Sequence, residues 1–286
     1  MSTDILARIQ AQLHTFSKGQ KRIANYILES YDKAAFMTAS KLGKTVAVSE
    51  STVVRFAVEL GFDGYPSMQR SLQEMVRTRL TSVQRIEAAN DRFGDQDVVS
   101  SVLQSDIDSI RLTAESLDRR EMAACVEAIL QAKHIYIVGV RSSAALAAYL
   151  NFYFRNLFDN VRLVSSTATS EMFEQMLRVG AGDVVLGISL PRYSSRTVKL
   201  LQYAHDSGAT VVTITDKPEA PGGKVADLVL CAKSNMVSFV DSLVAPMSVI
   251  NALIVSVGLQ QEDSVAKTYE DLERLWDEYD AFERVE

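Results

Sequence analysis

The sequence predicts an all-α domain that contains a helix-turn-helix, followed by an α/β domain of three layers around a five-stranded parallel sheet. Residues 1–80 show helical periodicity, with capping and turn residues between the helices. From about residue 111 onward, short apolar segments alternate with helical ones. We therefore expect a helix-turn-helix domain at 1–80, a helical linker at 81–110, and the α/β domain with a C-terminal helix at 111–286.

Charge is distributed unevenly between these parts. The 286 residues have a formal net charge of −6, yet residues 1–80 contain 11 Lys and Arg against 7 Asp and Glu. The remainder of the chain contains 19 against 29. A positively charged domain on an otherwise acidic chain is typical of a protein that binds a polyanion with one end.

Composition argues against several classes of protein. The longest apolar runs are broken by charge well before the roughly 20 residues that a membrane helix needs. Cys125 and Cys231 lie far apart and match no metal or redox spacing, which fits a reducing compartment. His14, His134 and His205 form no cluster. We therefore expect a cytoplasmic protein with no metal site and no cofactor.

Two amphipathic helices open the chain. Residues 4–13 carry apolar side chains at helical spacing, and Ser17 with Gln20 forms a capping box for the second helix. Basic residues at the start of that helix are expected to be solvated or to contact phosphate, where they add affinity but no sequence specificity. They are Lys18, Lys21 and Arg22.

The helix-turn-helix is predicted at residues 38–65. Ser49 follows a small apolar turn and can cap the second helix, and Glu50 suits the positive end of the helix dipole. Gly61 ends the helix, because glycine enters the left-handed conformation without steric cost. The residues expected to pack inward are Val53, Val54, Ala57 and Leu60.

The other side of this second helix offers short polar groups and one arginine near the helix N-terminus. That layout suits the major groove of DNA, where small side chains allow close approach to base edges. An ordinary helical hairpin with a polar outer face is the alternative, and the positive charge of residues 1–80 favours DNA. The residues expected nearest the bases are Ser49, Glu50, Ser51, Thr52 and Arg55, with Lys44 and Tyr65 on phosphates.

The run VSESTVVRF, followed by ELGFDGYPSM, resembles the N-terminal helix-turn-helix domain of the RpiR/MurR family of bacterial transcriptional regulators. The similarity extends back through FSKGQKRIANYILES and covers most of residues 4–80. It implies a regulator that binds a palindromic operator in double-stranded DNA as a homodimer or homotetramer. Gly43 stands where the family usually has alanine, so we expect a short first helix that is held by packing.

Five apolar segments rich in β-branched residues predict the strands of the second domain. Strands buried on both faces form continuous apolar runs, which indicates a parallel sheet between two layers of helices. The segments are HIYIVGV at 134–140, NVRLVSS at 160–166, DVVLGISL at 183–190, TVVTITD at 210–216 and DLVLCAK at 227–233.

Two loops after these strands are rich in hydroxyl groups and arginine. They are Gly139-Val140-Arg141-Ser142-Ser143 after the first strand and residues 188–197, ISLPRYSSRT, after the third. Hydroxyls and free N–H groups at helix starts form anion sites, although serine also occurs there as a simple helix cap. Because the carboxyl ends of parallel strands share one edge of the sheet, two such loops together favour an anion site.

Residues 115–258 resemble the SIS (sugar isomerase) domain, which follows the helix-turn-helix in RpiR-type regulators and senses phosphorylated sugars. Arg141 replaces the second glycine of the usual first loop, and the second loop is longer than usual and contains Arg192. The added arginines predict a small anionic effector, a phosphosugar or sugar acid. The expected effector-binding residues are Gly139, Arg141, Ser142, Ser143, Ser189, Arg192, Ser194, Ser195 and Thr197.

An aldose–ketose phosphate isomerase of the SIS type is the alternative function. Isomerisation needs an acid and a base that move a proton between adjacent carbons. Neither His134 nor His205 belongs to either loop, and no His-Glu pair follows the last strand. We therefore expect no catalytic residues and no enzyme activity.

The chain is predicted to end in two helices. A long apolar helix should run from about Ser242 to Gly258, and an acidic helix should follow it. The acidic helix carries an apolar stripe that either covers its own domain or contacts a partner subunit. The stripe contains Val265, Tyr269, Leu272, Trp276, Tyr279 and Phe282.

Overall fold

The computed structural model describes residues 5–79, 81–93, 97–236 and 238–283, except for the side chains of residues 77–79 and 88–93. The chain divides into two compact units. The N-terminal unit contains Met1–Val102 together with Met236–Asp241, and the C-terminal unit contains Leu103–Asn235 together with Ser242–Glu286. The predicted linker at 81–110 is thus shared between the two units, because the division falls after Val102.

The N-terminal unit is entirely helical within its described residues, apart from one isolated bridge between Met236 and Asp241. Its core contains Ile9, Ile23 and Phe56, all with no exposed surface. Its helices are α1 (Ile5–Gln12), α2 (Lys18–Glu29), α3 (Tyr31–Ala34), α4 (Ala39–Thr45), α5 (Glu50–Glu59), α6 (Tyr65–Arg79), α7 (Ser82–Phe93) and the start of α8 (Val98–Ser116).

The capping box predicted for α2 is confirmed. The Ser17 backbone N–H donates to Oε1 of Gln20 over 2.9 Å, and the Gln20 N–H donates to Oγ of Ser17. The Gln20 side chain also donates to the carboxylate of Glu59 at the end of α5. One residue therefore caps α2 and ties it to the second helix of the helix-turn-helix.

The helix-turn-helix consists of α4 and α5. As predicted, α4 is short, with 7 residues. Gly43 in α4 is buried, and a Cβ at this position would lie 2.8 Å from the carbonyl oxygen of Val48. The turn between the helices contains Ala47 at a positive φ of 53°. Glycine at position 43 therefore allows α4 to lie directly against the turn that leads into α5.

The inward face of α5 differs from the prediction at one position. Val53, Ala57 and Leu60 are buried as expected, but Val54 is 38% exposed and Phe56 is completely buried. Phe56 lies on the same side of the helical wheel as Val53 and Leu60, three residues after the first and four before the second, whereas Val54 falls outside that arc. The ring of Phe16 packs edge-on against Phe56 at a centroid distance of 5.0 Å, which accounts for its inward position.

A short segment that follows the sheet in sequence belongs to the N-terminal unit. Met236 contributes to the hydrophobic core of this unit. Asp241 accepts a hydrogen bond from Nη1 of Arg85 in α7 over 2.9 Å, and the Arg85 side chain is only 2% exposed. Because a buried charge is costly without an opposite charge, this ion pair is a structural contact of the unit.

The C-terminal unit has a five-stranded sheet in the order β2-β1-β3-β4-β5, and every pairing is parallel. This confirms the predicted α/β architecture. The elements after α8 are α9 (Arg119–Leu130), β1 (Ile135–Gly139), α10 (Ser143–Leu157), β2 (Val161–Val164), α11 (Thr169–Gln175), β3 (Val184–Ile188), α12 (Ser195–Asp206), β4 (Thr210–Thr215), β5 (Leu228–Cys231), α13 (Val244–Leu259) and α14 (Glu262–Glu278).

Helices cover both faces of the sheet. Helices α9, α10 and α13 pack with Ile135 and Ile137 of β1 in one hydrophobic cluster. Helices α11 and α12 pack with Tyr136 and Val138 of the same strand in another. Because successive side chains of a strand point to opposite faces, β1 contributes to both layers of the core.

Helix α14 packs against α10 and α13 but contains no buried residue. Leu275 is 44% exposed, and Tyr279 and Phe282 beyond it are 74% and 65% exposed. Within the described residues, no single helix is long and apolar enough to cross a membrane; α13 and α14 meet that criterion only as a pair, with a bend of 102° between them.

Candidate functional site

The start of α5 presents a cluster of hydroxyl groups. Ser49 adopts an extended conformation, and its Oγ accepts a hydrogen bond from the backbone N–H of Thr52 over 3.3 Å, as expected of an N-cap. The same oxygen lies 2.9 Å from Oγ of Ser51 and 2.8 Å from Oγ1 of Thr52. Three short polar side chains are therefore held together at the first turn of the helix.

Most residues predicted to contact DNA are accessible. The N-cap residue Ser49 is exposed, as are Glu50, Ser51 and Arg55 on α5, and Thr52 is half-buried. Lys44 is exposed in the last turn of α4. These residues flank one turn and the start of one helix, so a single groove of DNA can reach all of them.

The prediction that Tyr65 contacts a phosphate was wrong, because its side chain is buried. Its side chain is only 4% exposed, and its hydroxyl donates to the backbone carbonyl of Met37 over 2.6 Å. Burial also raises the pKa of the Tyr65 hydroxyl well above its usual range. Tyr65 therefore stabilises the packing of α6 instead of presenting a hydroxyl to a phosphate.

The C-terminal unit contains a cavity of about 830 Å³ at the carboxyl ends of its strands. Loops after β1, β2 and β3 line it. The chain leaves β1 toward β2 and returns past β1 to β3, so the cavity lies at the topological switch point of the sheet, where α/β proteins bind ligands. Its lining residues are Gly139, Val140, Arg141, Ala144, Ser165, Ser166, Thr167, Arg192, Tyr193, Ser194, Ser195 and Arg196.

Five of the nine predicted effector-binding residues line the cavity. They come from the loop after β1 and from the loop between β3 and α12, which the structure brings together as expected. These residues are Gly139, Arg141, Arg192, Ser194 and Ser195.

The other four predicted residues are placed differently. Ser143, Ser189 and Thr197 are 6%, 2% and 1% exposed, and none of them belongs to the cavity lining. Ser142 is exposed but also lies outside the lining. The buried three lie where α10, β3 and α12 pack against their neighbours, so their side chains are enclosed by the fold.

Gly139 brings strand and helix into close contact. A Cβ at this position would lie 2.6 Å from the carbonyl oxygen of Ser143 and 2.9 Å from Cβ of Ala147. Only glycine lets the first turn of α10 approach the end of β1 this closely. The backbone of the first loop is thereby held at the rim of the cavity.

Arg141 has a left-handed backbone conformation, with φ of 58°. Glycine adopts this conformation freely, whereas a residue with a Cβ does so at a cost of about 1–2 kcal/mol. The structure thus explains the glycine of the usual SIS loop at this position. Arg141 is exposed and makes no ion pair with any residue that the structure describes.

The loop after β2 was missed by the sequence analysis. Ser165, Ser166 and Thr167 line the cavity together with the predicted loops. The backbone N–H and carbonyl of Ser165 are both bonded to the side-chain amide of Gln175, each over 3.0 Å. The signal was present in the sequence, because these hydroxyl residues also follow an apolar strand and precede a helix.

Two further lining residues join the loops to the sheet. Nη1 of Arg196 donates to the carbonyl of Thr167 over 3.0 Å, which connects the third loop to the second. The hydroxyl of Tyr193 donates to Oδ1 of Asp216 over 2.7 Å.

The lining contains three arginines and, among its described residues, no carboxylate, so its charged side chains are all positive.

Both halves of the chain match known families. Residues 3–78 match the helix-turn-helix domain of the rpiR family, and residues 128–256 match the SIS domain. The HTH-type transcriptional regulator HexR of Pseudomonas aeruginosa is 26% identical over 266 residues, which cover 90% of each chain. HexR of Escherichia coli is 29% identical over 213 residues, covering 74% of this chain and 72% of that protein.

Solved structures show the same fold. The Vibrio vulnificus NanR protein complexed with ManNAc-6P is 24% identical and covers 95% of this chain and 99% of its own, with a TM-score of 0.57. The sugar isomerase domain of an RpiR transcription factor from Sphaerobacter thermophilus is 25% identical and covers 63% of this chain and 99% of its own, with a TM-score of 0.60. The two family models match more than half of the chain in the order that the structure shows, and the chain belongs to the rpiR family of helix-turn-helix transcriptional regulators, with a SIS domain as its second domain.

Proposed function

We propose that this regulator binds a palindromic operator as a homodimer, or as a homotetramer built from such dimers, and that a small anionic sugar derivative in the SIS cavity modulates its binding. A regulator of this kind acts where the chromosome lies, which in a bacterium is the cytoplasm. A two-fold operator follows from a two-fold protein, because each half-site meets an identical surface.

The exposed start of α5 supports base recognition. Ser49, Ser51 and Thr52 are short enough to allow the helix close approach to base edges, and Arg55 follows one turn later on an exposed position. Lys44 at the end of α4 suits a phosphate beside the same groove. Arg55 is assigned the sequence-specific contact, because arginine is the side chain that most often reads guanine in bidentate fashion.

Fragments of genomic DNA selected by the full-length protein would provide the operator for the test. Arg55→Ala should lose about 1–3 kcal/mol of affinity for this operator and almost none for random DNA. Lys44→Ala is the matched control, since it should weaken both to the same extent and reduce the salt dependence of binding by about one counterion. Equal weakening by Arg55→Ala on both kinds of DNA would contradict its role in base recognition.

The charge of the cavity carries the effector proposal. Arg141, Arg192 and Arg196 line a cavity whose described lining has no carboxylate, and five serine and threonine residues surround them. A guanidinium matches a carboxylate or phosphate in bidentate geometry. Three arginines offer more donors than one phosphate can accept, which favours a phosphosugar or sugar acid, and above all a phosphorylated sugar acid, over a neutral sugar. That the related NanR structure contains ManNAc-6P agrees with a phosphorylated ligand.

Calorimetric titration of the full-length protein with neutral sugars, sugar phosphates, sugar acids and phosphorylated sugar acids tests this proposal. Arg192→Ala should weaken binding of the best anionic ligand by about tenfold or more, because a charge-assisted hydrogen bond contributes about 1.5–3 kcal/mol. Arg155→Ala is the control, since Arg155 is exposed on α10 and does not line the cavity. Tight binding of a neutral sugar, unchanged in Arg141→Ala and Arg192→Ala, would refute an anionic effector.

Effector binding is expected to change DNA binding by changing how the subunits of the oligomer are arranged. A ligand that binds one arrangement of the subunits more tightly shifts the population toward that arrangement. The spacing of the two copies of α5 then changes, and with it the fit to the two half-sites. Operator affinity measured with and without the best ligand of the panel should therefore differ, and the same factor should appear in ligand affinity measured with and without operator.

We propose no isomerase activity for the SIS domain. The described lining of the cavity has no histidine, aspartate or glutamate, which are the usual bases for moving a proton between adjacent carbons. Nuclear magnetic resonance of sugar phosphates incubated with the protein tests this directly. Turnover that disappears in a protein with Arg141→Ala would restore the isomerase alternative.

A further inference from the structure

Helix α8 has its polar side buried in the C-terminal unit. Ser109 and Thr113 are 0% and 4% exposed. Oγ of Ser109 accepts a hydrogen bond from Nδ2 of Asn235 over 2.8 Å, and Oγ1 of Thr113 accepts one from the backbone N–H of Lys233 over 2.9 Å. Asp106 accepts a further bond from Oγ of Ser242. The rotation of α8 about its own axis is therefore held by polar contacts within the unit.

The apolar side of the same helix is exposed. Leu103, Ile107 and Ile110 are 58%, 50% and 38% exposed, and Ala114 is exposed as well. These four residues form one stripe along the helix, which we call the α8 stripe. An amphipathic helix normally buries its apolar side and exposes its polar side. The reversed orientation of α8 indicates that something outside the unit covers the stripe.

The spacing of the α8 stripe matches a second helix as its cover. Its residues follow each other at intervals of four, three and four, which is the heptad pattern of a coiled coil. In that pattern Leu103 and Ile110 occupy d positions, and Ile107 and Ala114 occupy a positions. Of these residues, Ile107 at a and Leu103 at d match the combination that favours two parallel strands, whereas Ile110 at d does not.

The charges beside the stripe also fit a parallel pair. Asp106 occupies a g position and Arg111 occupies the e position five residues later, and parallel coiled coils pair these two positions between strands. The Arg111 side chain is 64% exposed, and its contact with Asp108 of the same helix is 3.9 Å long. Two copies of α8 in parallel would thus bring opposite charges together on both sides of the stripe.

We infer that the α8 stripe pairs with the α8 stripe of a second copy of this chain, in parallel and in register, about a two-fold axis. This inference rests on the proposed homodimer and names its contact surface. Each chain reaches α8 directly from its helix-turn-helix unit, so a parallel pair places the two starts of α8 side by side. The stripe covers less than two heptads, and it therefore adds to other contacts between the copies instead of holding them alone.

Sedimentation equilibrium of the full-length protein, without DNA or effector, tests the pairing. A protein with both Ile107→Glu and Ile110→Glu should dimerise at least about tenfold more weakly, because both charges would lie in the contact. Leu112→Glu is the matched control: Leu112 is 47% exposed on the same helix, half a turn away from Leu103. It should leave dimerisation unchanged. Circular dichroism should show that both variants keep the helical content of the parent protein, and that Leu112→Glu also keeps its melting temperature.

An unchanged dimer in the double variant would overturn the inference, while the proposed homodimer would stand on another surface. An unchanged dimer with a lower melting temperature would also overturn it, because the stripe would then be covered within one chain. Loss of dimerisation in Leu112→Glu to the same extent would overturn it as well. The proposed function fails separately if the parent protein is a monomer on its operator.

Cysteine cross-linking tests the direction of the pair. In a Cys231→Ser background, oxidation should link Ile107→Cys to itself and Ala114→Cys to itself, since residues at a face their own copies in a parallel pair. The remaining Cys125 is fully buried and should not react. Links that form only in a mixture of Leu103→Cys and Ala114→Cys would show an antiparallel pair, which brings d positions opposite a positions, and would overturn the inferred arrangement.

Discussion

Arg141 has two separate roles that its replacement can distinguish. Its backbone adopts a costly left-handed conformation, and its guanidinium is proposed to bind the effector. Arg141 has a φ of 58°, which costs a residue with a Cβ about 1–2 kcal/mol relative to the right-handed conformation. Arg141→Gly removes this cost but adds about 0.4–1 kcal/mol of conformational entropy to the unfolded chain. Arg141→Ala keeps the cost. The glycine variant should therefore be more stable than the alanine variant by about 0.5–1 kcal/mol.

The two variants should nevertheless bind the effector equally poorly. Both lose the guanidinium, and a charge-assisted hydrogen bond contributes about 1.5–3 kcal/mol, so affinity should fall by about tenfold to a hundredfold in each. Stability would be measured by urea unfolding, followed by the fluorescence of Trp276, which is the single tryptophan of the chain and lies in the C-terminal unit. Effector affinity would be measured by calorimetry with the best anionic ligand.

Two results would refute this reasoning independently. An alanine variant at least as stable as the glycine variant would show that the left-handed conformation stores no cost at position 141. A glycine variant that binds the effector as tightly as the parent protein would show that the guanidinium makes no contact with it. Arg155→Ala, which removes an exposed arginine of the same unit, should change neither quantity.

Three further predictions concern residues outside the cavity. Gly43→Ala should destabilise the N-terminal unit by about 1–3 kcal/mol through overpacking, although alanine is the better helix former. The matched Gly19→Ala, whose Cβ would have 3.5 Å to its nearest neighbour, should stabilise this unit or leave it unchanged. Both would be measured by urea unfolding followed by circular dichroism, because Trp276 lies in the C-terminal unit and the N-terminal unit is helical. Tyr65→Phe should cost about 1 kcal/mol in that assay and leave the salt dependence of DNA binding unchanged; a shallower dependence would restore a phosphate contact. Burial raises the pKa of Cys125 to about 12, with a smaller contribution from Glu121. The thiol therefore ionises first in the unfolded chain, and above about pH 9 the free energy of unfolding should fall by about 1.4 kcal/mol per pH unit on account of this group. The free energy of unfolding of Cys125→Ala should fall less steeply with pH than that of the parent protein. Equal slopes in the two proteins would contradict the burial of a protonated thiol.

The sequence by itself determined the local elements of this protein. The capping box of Ser17 and Gln20 and the N-cap of Ser49 depend on side chains within three residues of the backbone groups that they satisfy. The five strands are continuous apolar runs that only a doubly covered parallel sheet can bury. Local hydrogen bonding and hydrophobic burial decided these elements, and both can be read from residues close together in the chain.

Only the tertiary structure decided which residues reach the functional surfaces. Tyr65 is polar enough for a phosphate, yet packing of α6 buries its hydroxyl against Met37. The loop of Ser165–Thr167 joins the cavity because β2 lies beside β1. Strand order and the packing of helices depend on residues far apart in the chain, whose contacts no local pattern contains. The same packing turned the polar side of α8 inward and left Leu103, Ile107 and Ile110 exposed, because hydrogen bonds to residues more than a hundred positions away hold that helix in place.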